Sequence, residues 1–239
     1  MEGSTGKSRV GLLGSAAIVA AGLVVGGYLL GNGLVRAHEA DRSVTVRGLA
    51  ERNVTADLAT WNLSYSEQGS DLAEVQAAIA RDTQATRDYF TGLGFPAEAL
   101  QPAGAGVSQS MFNGLPRVTI NQRLQFRTTD VARARRAVAR QFDLVRAGVQ
   151  LQEGSRMTYS FTKLNAIKPP MVAEATRDAR AAAEQFAKDS GTGVGGIKSA
   201  SQGYFSIDAR DGEGGDSYGV ADTPFKKVRV VTTVDFYLR

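Results

Sequence analysis

Val118-Thr119-Ile120-Asn121-Gln122-Arg123-Leu124-Gln125-Phe126-Arg127 is the stretch on which the fold turns. Val118, Ile120, Leu124 and Phe126 point one way, while Thr119, Asn121, Arg123, Gln125 and Arg127 point the other. Such alternation marks a strand with one buried and one polar face. Upstream, Ala59, Trp61, Leu63 and Tyr65 alternate with Leu58, Thr60, Asn62 and Ser64, giving an earlier strand. Between the two, Asp71 is placed to cap a helix, with Glu74 three residues on. Leu72, Val75, Ile79, Thr86, Phe90 and Leu93 follow at near-helical spacing, and Gly94 and Pro96 close the run. A weak, Gly-rich strand is expected around Val107. Downstream, Asp130 caps one helix carrying Val131, Ala134, Val138, Phe142 and Val145, and Met157, Tyr159 and Phe161 define a further strand. Residues 57–163 therefore read strand-helix-strand-strand-helix-strand, the split βαβ or ferredoxin-like order.

The flanks read as a second subdomain of residues 43–56 plus 164–239. Val44 and Val46 share a strand face, and Gly48 to Val54 is expected to break it. Residues Asn165 to Ser190 form a third helix, with Pro169-Pro170 in its first turn and an apolar face of Val172, Ala175, Ala179, Ala182, Ala183 and Phe186. After Gly191 to Gly196, one strand is expected from Ile197 to Ile207. A polar, Gly-rich hairpin loop follows from Asp208 to Asp222. The terminal strand places Val228, Val230, Thr232, Val234, Phe236 and Leu238 on one face. The fold class is α+β, with an N-terminal transmembrane helix ahead of two intimately packed α+β subdomains.

From Val10 to Val35 no residue is charged. At about 1.5 Å per residue, a helix of that length exceeds the roughly 30 Å hydrocarbon core of a bilayer. Residues 1–36 are thus read as a cytoplasmic tail and anchor, and residues 37–42 as a linker. The rival is a cleaved secretory signal, which has an apolar region of about 7–15 residues and a small-x-small exit. Here the run is longer, and Leu34-Val35-Arg36-Ala37-His38-Glu39-Ala40 has no clean Ala-x-Ala. Lys7 and Arg9 precede the span. The expected placement is therefore a single pass of the inner membrane, N-terminus cytoplasmic and body periplasmic. Gly22 with Gly26, and Gly27 with Gly31, have the Gly-x-x-x-Gly spacing that lets two helices approach closely.

Four stretches resemble a known family. Ser43-Val44-Thr45-Val46-Arg47-Gly48 followed by Asp57-Leu58-Ala59 is similar to the opening of SIMPL-domain proteins, although Ala56 stands where many members have Pro. The Ala-rich run Glu174 to Ala187, the segment Gly195 to Gly203 and the terminal strand Val228 to Leu238 also match, so the resemblance covers residues 43–239. It implies a bacterial envelope protein of the periplasm, in a family where some members build ring- or cage-like oligomers and some are linked to oxidative-stress protection. It supplies no catalytic residues.

Composition removes much chemistry. The chain has no Cys and one His. Thiol nucleophiles, disulfides, Cys-bound zinc and multi-His metal sites are thereby excluded. The net charge of +4 is partly carried by Lys7, Arg9 and Arg36 around the apolar run, so it argues weakly for nucleic acid, and none is expected as a partner. His38 reads as an interfacial linker residue. The cluster Gly191 to Gly196 follows a helix and precedes a strand, the reverse of a dinucleotide loop. Asp208, Asp211, Glu213 and Asp216 do not have EF-hand spacing and read as a solvated loop. Arg133, Arg135, Arg136 and Arg140 lack interleaved aromatics and read as a helix face. Arg123 and Arg127, on one strand face, are the candidates for an oligomer contact. No catalytic, cofactor-binding or metal residue is assigned.

The expectation is a membrane-anchored, periplasm-facing protein that assembles with itself and acts as a scaffold or binding surface, without catalysis. Two alternatives stay open. One is a cleaved, soluble periplasmic binding protein. The other is a hydrolase using a carboxylate pair of shifted pKa, which needs two such groups facing each other in a cleft.

Overall fold

The computed structural model describes residues 22–31, 42–211 and 222–239. Residues 22–31 are helical (α1). The body follows as β1 Ser43–Thr55, β2 Leu58–Gly69, α2 Leu72–Gly92, a 3-10 turn Ala97–Ala99, β3 Leu100–Phe112, β4 Leu115–Thr128, α3 Val131–Ala139, α4 Phe142–Arg146, β5 Met157–Ser160, α5 Leu164–Asp189, β6 Val194–Gln202, β7 Ser206–Ala209 and β8 Phe225–Leu238. This is α+β with two sheets, one ordered β1-β8-β6 with β7 also on β8, the other ordered β3-β4-β2-β5. Two compact units emerge: one through Ala50 with Val172–Gly203 and Val231–Arg239, the other Glu51–Met171 with Tyr204–Val230.

The second sheet sits in the larger unit. β2 pairs antiparallel with β4 and β5, and β3 pairs antiparallel with β4. A split β-α-β chain produces that order, because each helix crossover carries the chain over one intervening strand. The core lies on the face of β2 and β4 that the alternation assigns to it: Trp61, Leu63, Tyr65, Leu124 and Phe126 are all at most 2 % exposed. α2 lies on this face. Asp71 caps it, its carboxylate accepting from Glu74 N at 3.0 Å. At its other end Phe95 N donates to Phe90 O and Gly94 N to Thr91 O, a Schellman closure with Gly94 at φ +80. The closure brings Phe95 against Phe90, ring centroids 6.1 Å apart, and Phe90 stacks on Phe126 at 4.3 Å.

Several expectations are corrected. The helix after Asp130 is two helices, broken at Arg140–Gln141. The break shifts the helical phase, so Ala137 and Leu144 are buried while Phe142 and Val145 lie 67 % and 50 % exposed. The weak strand around Val107 is a full edge strand, joined to β4 by Asn113-Gly114. Both turn residues have positive φ (51 and 78), as a two-residue I′ hairpin requires. α5 begins at Leu164, ahead of the first turn expected for Pro169-Pro170, so both prolines lie inside it.

In the other unit, β1 does not break at Gly48. Gly48 marks a close approach: a Cβ there would lie 1.9 Å from Ala175 O and 2.5 Å from Ala179 N. The buried stripe of α5 in this unit is Ala175, Ala179, Ala183 and Ala187, against Val44, Val234 and Phe236. Ala182 and Phe186, expected on that stripe, are exposed. The single strand expected from Ile197 to Ile207 is two strands, β6 and β7. β8 buries Val228, Val230, Thr232, Val234 and Phe236, while Leu238 is only partly covered.

Candidate functional site

The polar face of the β3-β4-β2-β5 sheet is built by one regular alternation. β4 contributes Arg117, Thr119, Asn121, Arg123, Gln125 and Arg127, and register places Asn62 opposite Gln125, Ser64 opposite Arg123 and Ser66 opposite Asn121. On the β3 side, Gly104 lies opposite Arg123, Gly106 opposite Asn121 and Ser108 opposite Thr119. Small residues on β3 leave the longer β4 side chains uncovered, and Asn62, Asn121, Arg123 and Arg127 are exposed. Gln125 Nε2 donates to Asn62 Oδ1 at 3.1 Å, and Gln152 Nε2 to Ser66 Oγ at 2.8 Å. The arginines differ in their partners. Arg117 lies 4.5 Å from the Phe112 ring centre. Arg123 lies along Gly104, where a Cβ would meet its guanidinium at 3.3 Å. Neither Arg123 nor Arg127 forms an ion pair with a described residue. Two guanidiniums without a carboxylate among the described residues, on a hydrogen-bonding face, suit carboxylates supplied from outside.

The helix cluster behaves otherwise. Arg133 pairs with Asp130 at 3.2 Å and donates to Gly94 O at 2.7 Å, and Arg140 pairs with Asp143 at 3.0 Å. Arg135 lies over the Phe225 ring at 5.6 Å. Three of the four expected surface cations thus serve the fold locally. Asp208 lies on β7 and Asp211 pairs with Arg210 at 2.9 Å, while Glu213 and Asp216 fall outside the described residues, as does His38. Among the described residues no group of three or more His, Cys, Asp or Glu could hold a metal ion.

Among the described residues, Glu67 and Asp82 bring two carboxyls together. The Asp82 carboxyl is pushed up by burial first, then by the charge of Glu67 and a hydrogen bond with it. Asp82 Oδ2 is buried and accepts from no N–H or O–H donor among the described residues. Tyr65 is beside them, its hydroxyl 2.7 Å from Thr83 Oγ1. Glu67 and Asp82 are not among the residues lining the cavities of about 310, 360 and 480 Å³ formed by described residues. A cavity of about 310 Å³ lies elsewhere in the same unit, lined by Trp61, Met157, Tyr159, Gln141, Arg156 and Asp222 among others. The buried indole N–H of Trp61 has no hydrogen-bond partner among the described residues.

Residues 22–31 hold all four glycines of the expected helix-pairing motif. A Cβ added at Gly22, Gly26, Gly27 or Gly31 would meet no atom within 4 Å. Leu23, Val24, Tyr28 and Leu30 are 70–72 % exposed. Among the described residues no helix is long and apolar enough to cross a membrane; most of Val10 to Val35 lies outside them.

The body is α+β with two sheets, one of which carries Arg123 and Arg127 on its polar face. The family model for SIMPL, described as a protein of unknown function (DUF541), matches residues 44–236, and the chain belongs to that family. No curated protein matches it. Sequence alternation had singled out Arg123 and Arg127. It missed the exposed apolar residues of the β3–β4 hairpin, Val107, Met111, Phe112 and Leu115, although Asn113-Gly114 between two alternating runs is a hairpin signal.

Proposed function

We propose that this SIMPL-family protein is a membrane-anchored, periplasm-facing scaffold that assembles with copies of itself and works through the surfaces so repeated. The carrying observation is the pair Arg123 and Arg127, exposed on a polar sheet face without carboxylate partners among the described residues. The uncharged run from Val10 to Val35 supports the anchor, and the open surroundings of Gly22, Gly26, Gly27 and Gly31 suit close helix pairing. Ring- or cage-like assembly and a part in oxidative-stress protection follow from the family resemblance. The chemistry asked of the body is recognition, so no cofactor is needed.

Charge reversal at Arg123→Glu with Arg127→Glu in the full chain tests the reading. Both positions are exposed, so folding should survive, checked by an unchanged melting curve. Self-association measured by light scattering in detergent should weaken at least tenfold, about 1.4 kcal/mol. An unchanged particle mass would remove this face from the assembly.

A further inference from the structure

Sheet edges are where one chain can extend another, because their outward N–H and C=O groups lack partners. Most outer strands here carry a device against that. β5 has only 4 residues, and so does β7. β1 carries Arg47, Glu51 and Arg52 along its length. β6 carries Lys198, and its register against β8 shifts between Val194 and Ile197 and again between Ile197 and Ser199. Short length, charge and bulges are the usual guards.

β3 is the exception. It runs 13 residues, and its one strand partner among the described residues is β4. Its guards, Pro102 and a bulge between Pro102 and Gly104, lie at one end. From Ala105 to Phe112 the register is regular, every residue is exposed, and none is charged or proline. The hairpin continues past the end of β2, which stops opposite Val118, while β3 and β4 stay paired to Phe112 and Leu115. At that projecting end Met111, Phe112 and Leu115 are 55–69 % exposed, and Val107, just before it, is 59 % exposed. An edge that is long, regular, neutral and apolar at its tip is poorly suited to water and well suited to a strand of the same character.

We infer that the Ala105–Phe112 edge of β3 is the surface by which one copy of this chain adds to a second, β3 to β3, making a continuous antiparallel sheet across the contact. The occupant is a second copy because the edge complements itself: neutral meets neutral, and antiparallel pairing of identical strands is two-fold symmetric. In a shared membrane the local concentration of that partner is raised further. Arg123, opposite Gly104 on the adjoining strand, then flanks the contact. The inference rests on the self-assembly proposed above and specifies its interface.

The absence of cysteine makes the test direct. Gly106→Cys, Ser108→Cys and Ser110→Cys, each in the full chain in detergent, carry a lone thiol along the edge, and Lys198→Cys on β6 is the control. Residues opposed across an antiparallel pair have Cα atoms roughly 4.5–5.5 Å apart, within disulfide reach. Mild oxidation should convert more than about half of the chain to a covalent dimer at one of the three β3 positions, and little at Lys198→Cys. Val107→Lys with Met111→Lys should weaken association at least tenfold, with the melting curve preserved. If the wild-type particle is oligomeric but no β3 cysteine cross-links, or the control does so equally, the β3 interface is wrong while self-assembly stands. A monomeric wild type overturns both.

Discussion

Gly48→Ala should destabilise the protein by at least about 3 kcal/mol, at the top of the usual overpacking range. The new methyl carbon would lie 1.9 Å from Ala175 O, 2.5 Å from Ala179 N and 2.8 Å from Ala179 Cβ. Two of those obstacles are backbone of α5, so no rotamer change relieves them; β1 or the helix must move. The stripe of Ala175, Ala179 and Ala183 is what permits so close an approach, and it is fully buried. Thermal unfolding measures the effect, expected as a fall in Tm of roughly 6–12 °C for a chain of this size. Gly106→Ala is the matched control, because a Cβ there meets nothing within 4 Å. It should change stability by less than about 0.5 kcal/mol. Equal melting of the two variants would mean that β1 and α5 do not pack at this distance.

Phe126→Ala should cost about 3–5 kcal/mol, a large part of the 5–15 kcal/mol by which domains are ordinarily stable. The ring is fully buried. It stacks on Phe90 at 4.3 Å and meets Phe95 edge-on at 4.7 Å, and Phe90 in turn meets Trp61 at 5.9 Å. Removing it leaves a cavity at the point where α2, its Schellman closure and the sheet converge. Denaturant unfolding gives the loss as a lower midpoint. A double-mutant cycle with Phe90→Ala should show coupling of about 0.5–1.5 kcal/mol from the stacked pair. A loss under about 1 kcal/mol would contradict this packing.

The strands that bury one face were legible in the sequence, because a period of two admits one reading. Val118 to Arg127 and Val228 to Phe236 show it, with the inward residues found buried as alternation assigns them. Caps at Asp71 and Asp130 were legible for a local reason: a short acidic side chain ahead of an apolar period bonds the first turn. What local pattern could not give was set at a distance. Gly48 reads as a strand breaker until α5 is brought within contact of it, and Gly203 divides two strands where its Cβ would meet Val231 O at 2.7 Å. The phase slip at Arg140 is equally invisible to a fixed 3.6 period.

The site divides the same way. That Arg123 and Arg127 lie exposed on one strand face was legible because the alternation names that face. The β3 edge was not, since exposure along an edge depends on sheet order, which depends on which strand the crossover passes. The Glu67–Asp82 pair likewise joins residues on β2 and α2 that no linear motif connects.

The central claim is that identical copies held by an N-terminal anchor associate through their bodies. Mass and shape of the full chain in detergent, by light scattering with electron microscopy, test it most directly. The account predicts a discrete oligomer with a closed outline, retained in the membrane fraction until detergent is added. A single 25.3 kDa chain at micromolar concentration, or a mature protein beginning between Ala37 and Ser43, would contradict it.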